Sequence, residues 1–137
     1  MRPSQGWVAG SIPATRSSID WLQMSLWGSF CLYSEFMIIL ITTLHKKQDA
    51  ARIGKGLLEK RLIACYNLWP IESAYWWKGE IIEQNEVMMI MKSTIRWFDD
   101  IVEYVKTESG YEVPELIALD SEKIDPSYQK WINEEVR

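Results

Sequence analysis

The chain has 137 residues, which is the size of one domain with a single hydrophobic core. Its formal net charge is −4 and its isoelectric point is near 5.1, with lysines and arginines spread along the sequence. An acidic chain without a basic block lacks the electrostatic footprint of proteins that bind nucleic acid or anionic lipid. We therefore expect neither nucleic acid nor a membrane as a partner.

The two cysteines, Cys31 and Cys65, have neither a C-x-x-C nor a zinc-finger spacing. Only Cys65 falls in the part of the chain with regular hydrophobic periods. A single unpaired thiol is typical of a reducing compartment rather than of a disulfide framework. The sequence therefore predicts a cytoplasmic protein.

The first 36 residues mix Ser, Gly, Pro and Trp without a period of two or of 3.6. Polar residues interrupt every apolar run, which argues against a signal peptide, and a membrane span across residues 21–44 would contain Glu35. We interpret residues 1–36 as an extension outside the fold. Two origins stay open: a start codon upstream of the physiological start at Met37 or Met24, or a disordered extension.

Regular periods begin after residue 36. Residues 37–41 form a short apolar run, which predicts a strand buried on both faces. Apolar residues at helical spacing across residues 47–61 predict the first helix. Residues 62–77 are rich in β-formers and predict a long second strand, with Pro70 at a bulge or an edge position.

The second half of the chain repeats this pattern. Residues 78–85 contain a glycine and several charges, which indicates a turn before a third strand at residues 86–92. An apolar stripe predicts a second helix that ends near Gly110. A short strand follows at residues 116–119, and Asp125, followed by a proline, predicts the capped start of a last helix.

The predicted element order is β-α-β-β-α-β with an added C-terminal helix, covering residues 37–137. Two β-α-β halves joined in this way predict an α+β protein with an antiparallel sheet and both helices on one face. This is the ferredoxin-like sandwich.

The strands at residues 37–41 and 87–91 are apolar at both parities, although the helices cover only one face of the predicted sheet. Large exposed apolar patches are rare on monomers. The simplest cover for the second face is another copy of the chain, so the sequence predicts a homo-oligomer.

Several motifs occur together and in a fixed order along residues 37–137. They are Ala64-Cys65, Ser73-x-Tyr75-x-Trp77-Lys78-Gly79, Glu86, Lys92-Ser93-Thr94, Tyr111-x-x-Pro114-Glu115-Leu116-Ile117 and Tyr128-x-x-Trp131-Ile132. This set resembles the CutA family of divalent-cation tolerance proteins. The resemblance implies a tight homotrimer, built like the PII signalling proteins, in which the long second and third strands reach across to a neighbour.

The resemblance also implies a ligand-binding cleft between subunits. Its candidate residues are Tyr75, Trp77, Glu86, Lys92, Tyr111 and Glu115. Tyr75 and Trp77 share one strand parity and Trp76 has the other, so the first two should face the same side. The alternative role for these aromatic side chains is to anchor the subunit interface. Lys92 has two readings as well, a solvent-reaching side chain at a strand end or a partner for an anionic ligand.

Metal binding is the function that the family name suggests, and the candidate soft ligands are His45 and Cys65. Copper-binding relatives resemble one another in having a histidine just before the Tyr-x-x-Pro-Glu motif, whereas this chain has Glu108, Ser109 and Gly110 there. We therefore expect weak, oxygen-mediated binding of divalent ions such as copper. Among the carboxylates, Glu86 is the main candidate, and it could instead pair with a lysine across the sheet.

These features predict a trimeric divalent-cation tolerance protein. The alternative is a PII-like trimer that binds an effector, such as a small anion, or serves as a scaffold without a dedicated metal site. No catalytic triad or phosphate-binding glycine loop is visible in the sequence, so we expect no enzymatic activity.

Overall fold

The computed structural model of the protein describes residues 35–137. The prediction for residues 1–36 therefore falls almost entirely outside the described residues. The strands are β1 (Met37–Leu44), β2 (Cys65–Trp77), β3 (Glu80–Thr94) and β4 (Ile117–Asp120). The helices are α1 (Lys47–Glu59), α2 (Phe98–Ser109), which follows a 3-10 turn (Ile95–Trp97), and α3 (Pro126–Glu135).

The four strands form one sheet in the order β2-β3-β1-β4, and every neighbouring pair is antiparallel. The chain is thus an α+β protein with the predicted element order and the predicted last helix. Among residues 35–137, no helix has both the length and the apolar character needed to cross a bilayer.

One face of the sheet packs against α1 and α2. Even-numbered β1 residues such as Ile38 and Leu40 point to this face and are buried, as are Met89 and Met91 of β3. They meet the helices through apolar residues that are fully buried: Ala50, Ile53, Leu57, Ile101 and Val105. We call this the covered face, and it holds the hydrophobic core of the chain.

The other face carries the alternate residues of the same strands, and we call it the open face. In the register it contains Ile39 beside Lys92 and Leu119, and Ile41 beside Ile90 and Ile117. Trp69 is 68% exposed there, and Leu119 and Ile117 are 48% and 44% exposed. The sequence correctly predicted apolar residues at both parities, and part of that apolar surface remains exposed on a single chain.

The predicted turn at residues 78–85 is wrong. The turn is only Lys78-Gly79, and both residues have positive φ, at 49° and 89°, as a type I′ hairpin requires. Strand β3 therefore begins six residues earlier than predicted. Two residues are enough for the turn, so the charged residues that follow it pair with β2. Pro70 lies on the edge strand β2 without a bulge, as one of the two predicted alternatives states.

The last helix begins as predicted, with the Asp125 carboxylate accepting hydrogen bonds from the backbone nitrogens of Ser127 and Tyr128 at 3.0 and 3.1 Å. Helix α3 lies at the end of the sheet where β1 begins, since the Gln129 side chain accepts a hydrogen bond from the backbone nitrogen of Met37. Ile132 of α3 is fully buried. The opposite end of the sheet is left to the β2–β3 hairpin.

Candidate ligand-binding site

The β2–β3 hairpin continues beyond the end of β1. The last pair between β1 and β3 is Leu44 with Val87, so residues 80–86 of β3 pair only with residues 71–77 of β2. We call residues 71–86 the hairpin arm. Because no third strand flanks the arm on the side of β1, the position beside Glu86 is available to the segments that follow β1 and α2.

Side chains alternate along the arm as the sequence predicted. Tyr75 and Trp77 are half-buried and line one side of it, whereas Trp76 is 71% exposed on the other side, opposite Ile81, which is 59% exposed. The run of three adjacent aromatic residues is therefore split between two surfaces. One surface belongs to a cavity, and the other faces away from it.

The loop after α2 closes over the arm. Gly110 ends α2 in the left-handed conformation, with φ at 73°, and redirects the chain so that Tyr111 reaches Glu86. Between loop and arm lies an open cavity of about 820 Å³. It is lined by Thr43, His45, Ile71, Glu72, Ser73, Ala74, Tyr75, Trp77, Glu86, Met88, Gly110, Tyr111, Glu112, Val113 and Glu115.

At the inner end of the cavity, three polar side chains form a chain of contacts. The Tyr111 hydroxyl donates a hydrogen bond to Glu86 Oε1 and lies 3.1 Å from His45 Nδ1. The rings of His45 and Tyr111 stack with centroids 4.0 Å apart. Burial, followed by the hydrogen bond to Glu86, raises the pKa of Tyr111 well above its usual value. The hydroxyl is therefore held as a donor.

Further hydrogen bonds fix the walls of the cavity. Gln84 Nε2 donates to the Tyr75 hydroxyl at 2.8 Å, which orients this ring across the arm. Lys78 at the hairpin turn forms an ion pair of 3.0 Å with Glu112 and thereby ties the tip of the arm to the loop. The loop is held to β1 because Thr42 Oγ1 donates to the backbone oxygen of Glu115 at 2.7 Å.

Five of the six predicted cleft residues meet at this cavity. They are Tyr75, Trp77, Glu86, Tyr111 and Glu115. Lys92 does not join them within one chain: it lies toward the opposite end of β3, beside Cys65 and Ile39, and its Nζ hydrogen bonds to Asn67. The suggested lysine across the sheet from Glu86 is wrong, since the residue paired there is Ile71.

The two candidate soft metal ligands are far apart. His45 follows the pair Leu44–Val87, whereas Cys65 is opposite Lys92, which puts five strand residues, or roughly 16 Å, between the two levels of the sheet. The Cys65 thiol contacts the Tyr128 hydroxyl at 3.7 Å. In the described part of the chain, no group of three His, Cys, Asp or Glu side chains is placed to hold a metal ion. A copper site made by one chain does not fit this donor set.

The sequence did not reveal that His45 belongs to the cavity rather than to an isolated surface loop. The strand register contains that information, because ending β1 at Leu44 opposite Val87 places His45 beside Glu86. The supporting roles of Gln84 and Glu112 were also missed, and no motif in the sequence points to them.

The fold and the site define a small α+β protein with a ligand-sized cavity beside a projecting hairpin. Residues 38–135 match the family model for the CutA1 divalent ion tolerance protein, and the chain belongs to this family. The family resemblance seen in the motifs is thereby confirmed.

Individual relatives agree with this assignment. The divalent-cation tolerance protein CutA of Thermotoga maritima is 39% identical over 73% of this chain and 99% of its own length. Protein CutA of mouse is 40% identical over 67% of this chain and 52% of its own. A solved structure described as the periplasmic divalent cation tolerance protein CutA of Archaeoglobus fulgidus superposes with a TM-score of 0.72 at 35% identity, over 74% of this chain and 99% of that one.

Proposed function

We propose that the protein acts in divalent-cation tolerance as a homotrimer, in a ferredoxin-like and PII-like assembly whose subunits meet through the open face. The main support for this proposal is the exposed apolar surface of the sheet, where Trp69, Ile117 and Leu119 are 68%, 44% and 48% exposed. Burying one large apolar side chain is worth roughly 1.5–3 kcal/mol. Three such residues per chain, repeated in each copy, supply a substantial driving force for association.

The hairpin arm supports the same proposal. Its outer surface carries Trp76 and Ile81, which are 71% and 59% exposed and lie opposite each other across the two strands. Aromatic residues are enriched in the buried centres of protein interfaces. We expect the arm to lie against a neighbouring subunit, with this pair as its main contact.

The cavity is the ligand-binding site that we propose for the trimer. Tyr75, Trp77 and Tyr111 supply ring surface, and Glu86 and Glu115 supply carboxylates. Lys92 of the same chain lies at the other end of the sheet, so we expect it to reach a cavity only from a neighbouring subunit. This arrangement would make the site a cleft between subunits.

For divalent ions we propose weak binding through carboxylate oxygens, because His45 and Cys65 of one chain cannot converge on a single ion. A dedicated copper site would need side chains from several subunits. The alternative function, an effector-binding or scaffold trimer without a metal site, is favoured by the aromatic lining of the cavity. We propose no catalytic role, and we expect the protein to act in the cytoplasm.

A tolerance assay tests the proposal. A host that lacks its own homologue is grown in rising copper(II) while it produces the full chain, the Trp69→Glu variant or the Lys106→Glu variant as a matched control on the exposed surface of α2. The full chain and the control should restore growth equally, and Trp69→Glu should not, although it is present at the same level. Equal growth with a monomeric Trp69→Glu variant would contradict the requirement for assembly.

A further inference from the structure

The charged groups that line the cavity are almost all of one sign. Four carboxylates line it, and no lysine or arginine is among its lining residues in the described part of the chain: Glu72, Glu86, Glu112 and Glu115. Lys78, outside the lining, pairs with Glu112 at 3.0 Å and offsets one of these charges. Four carboxylates less this one pair leave three negative charges facing the cavity.

Glu86 is the deepest of these carboxylates, since the residue is only 6% exposed. Tyr111 donates to its Oε1, and within residues 35–137 no hydrogen bond or ion pair reaches its Oε2. A carboxylate removed from water is costly unless donors or a positive charge replace the water. The cavity therefore contains a largely buried carboxylate whose second oxygen is open to solvent and available to accept a hydrogen bond from a ligand.

His45 adds a second acceptor when its ring is neutral. The Tyr111 hydroxyl has one hydrogen and donates it to Glu86, so the 3.1 Å contact with His45 Nδ1 must be a hydrogen bond donated by Nδ1–H. In the neutral ring this leaves Nε2 as an acceptor. The chain of contacts from Glu86 through Tyr111 thus fixes the tautomer of a histidine that lines the cavity.

The remaining walls are aromatic. Tyr75, Trp77 and Tyr111 line the cavity, and the attraction of such a ring for a cation is visible at Trp77, whose centroid lies 5.2 Å from Lys78 Nζ. Aromatic faces next to carboxylates favour an organic cation over a hydrated metal ion, because the rings replace water along the carbon chain of the ligand.

We propose that the cavity binds a protonated organic amine, whose ammonium group donates to Glu86 and His45 while its carbon chain packs on the aromatic rings. This inference rests on the ligand-binding role proposed above, and it replaces the small anion expected from the sequence by a cation. If Lys92 of a neighbouring copy reached the cavity, as expected above, its one positive charge against these three negative charges would still leave two negative charges.

The experiment is calorimetric titration of the full chain with 1,4-diaminobutane, with succinate as a dicarboxylate of the same length and tetramethylammonium as a cation without N–H donors. We expect one diamine to bind per chain, weaker binding of tetramethylammonium and no binding of succinate. Glu86→Gln keeps the shape of the side chain and should weaken diamine binding tenfold or more, as the loss of a charge-assisted hydrogen bond implies. Glu122→Gln, at an exposed position outside the cavity, should leave it unchanged.

If Glu86→Gln does not fold, Glu115→Gln at an exposed position of the lining takes its place, with at least a threefold loss expected. Light scattering on the same samples separates this inference from the proposed function. A trimer that binds succinate and not the diamine, or binds neither, overturns the amine proposal and leaves the assembly standing. Diamine binding that is unaffected by the variant that folds also overturns it, whereas a monomer contradicts the proposed function itself.

Discussion

The two faces of the sheet come from alternate residues of the same strands, but they differ in how far one chain completes them. On the covered face, Leu40 and Met89 are fully buried beneath α1 and α2. On the open face, Trp69 remains 68% exposed and Ile41 is only partly buried. The difference separates two tasks: the covered face stabilises the subunit, and we propose that the open face stabilises the assembly.

We expect the largest loss of stability from a substitution in the covered face. Leu40→Ala removes a fully buried side chain from the core and should lower the free energy of unfolding by about 2–5 kcal/mol. Urea denaturation at a fixed protein concentration measures this loss. Lys55→Ala, at an exposed position of α1, is the control and should stay within about 0.5 kcal/mol of the unaltered chain. A comparable loss in both variants would mean that the core is placed incorrectly.

Charged substitutions on the open face should prevent assembly and leave the fold of the subunit intact. Trp69→Glu and Ile90→Glu each place a carboxylate where we expect another copy to pack, and burial of an unpaired charge opposes assembly. Light scattering should show species smaller than the unaltered protein, with an unchanged far-ultraviolet circular dichroism spectrum. The same assembly in both variants would rule out the open face as the subunit contact.

A smaller effect concerns the cavity. Tyr111→Phe removes the hydroxyl that donates to Glu86 and leaves a buried carboxylate without that donor, which should cost about 1–3 kcal/mol of stability. Tyr128→Phe is the matched control, because its hydroxyl makes only a contact of 3.7 Å with the Cys65 thiol. Thermal or urea unfolding of the two variants compares them, and equal stabilities would mean that the bond to Glu86 contributes nothing.

The same tyrosine predicts a dependence on alkaline pH. The pKa of Tyr111 is raised in the folded chain by burial and by the hydrogen bond to Glu86, so the folded state holds this proton more tightly than the unfolded state. The corresponding stability is complete below about pH 10, the pKa of an unfolded tyrosine, and is lost as the pH rises above it. Urea unfolding from pH 8 to 11 should show a shallower alkaline decline in Tyr111→Phe. Parallel curves would contradict this coupling.

The smallest expected effect concerns copper. Because His45 and Cys65 lie at different levels of the sheet, Cys65→Ser and His45→Ala should each change copper affinity by less than about threefold in calorimetric titration under reducing conditions. Tight stoichiometric binding that Cys65→Ser abolishes would show instead that thiols from several subunits converge on one ion.

The fold was largely predictable because its hydrophobic periods are clear: the helical stripe of α1 and the apolar run of β1 both appear where the sequence placed them. The length of β3 was not predictable from hydrophobicity, since residues 80–86 are mostly polar and gain their strand conformation from pairing across the Lys78-Gly79 turn. Motif and parity identified Tyr75 and Glu86 in the site. The position of His45 in the site follows only from the pairing of Leu44 with Val87, which joins residues far apart in the sequence.

We propose that three copies of the chain cover the open face, and the molar mass of the purified full chain in solution tests this directly. Size-exclusion chromatography with multi-angle light scattering at micromolar concentration should give three times the chain mass of 16.1 kDa. The mass should not decrease on tenfold dilution if the exposed surface around Trp69 is buried between subunits. A folded species with the mass of one chain would show that the open face does not hold subunits together.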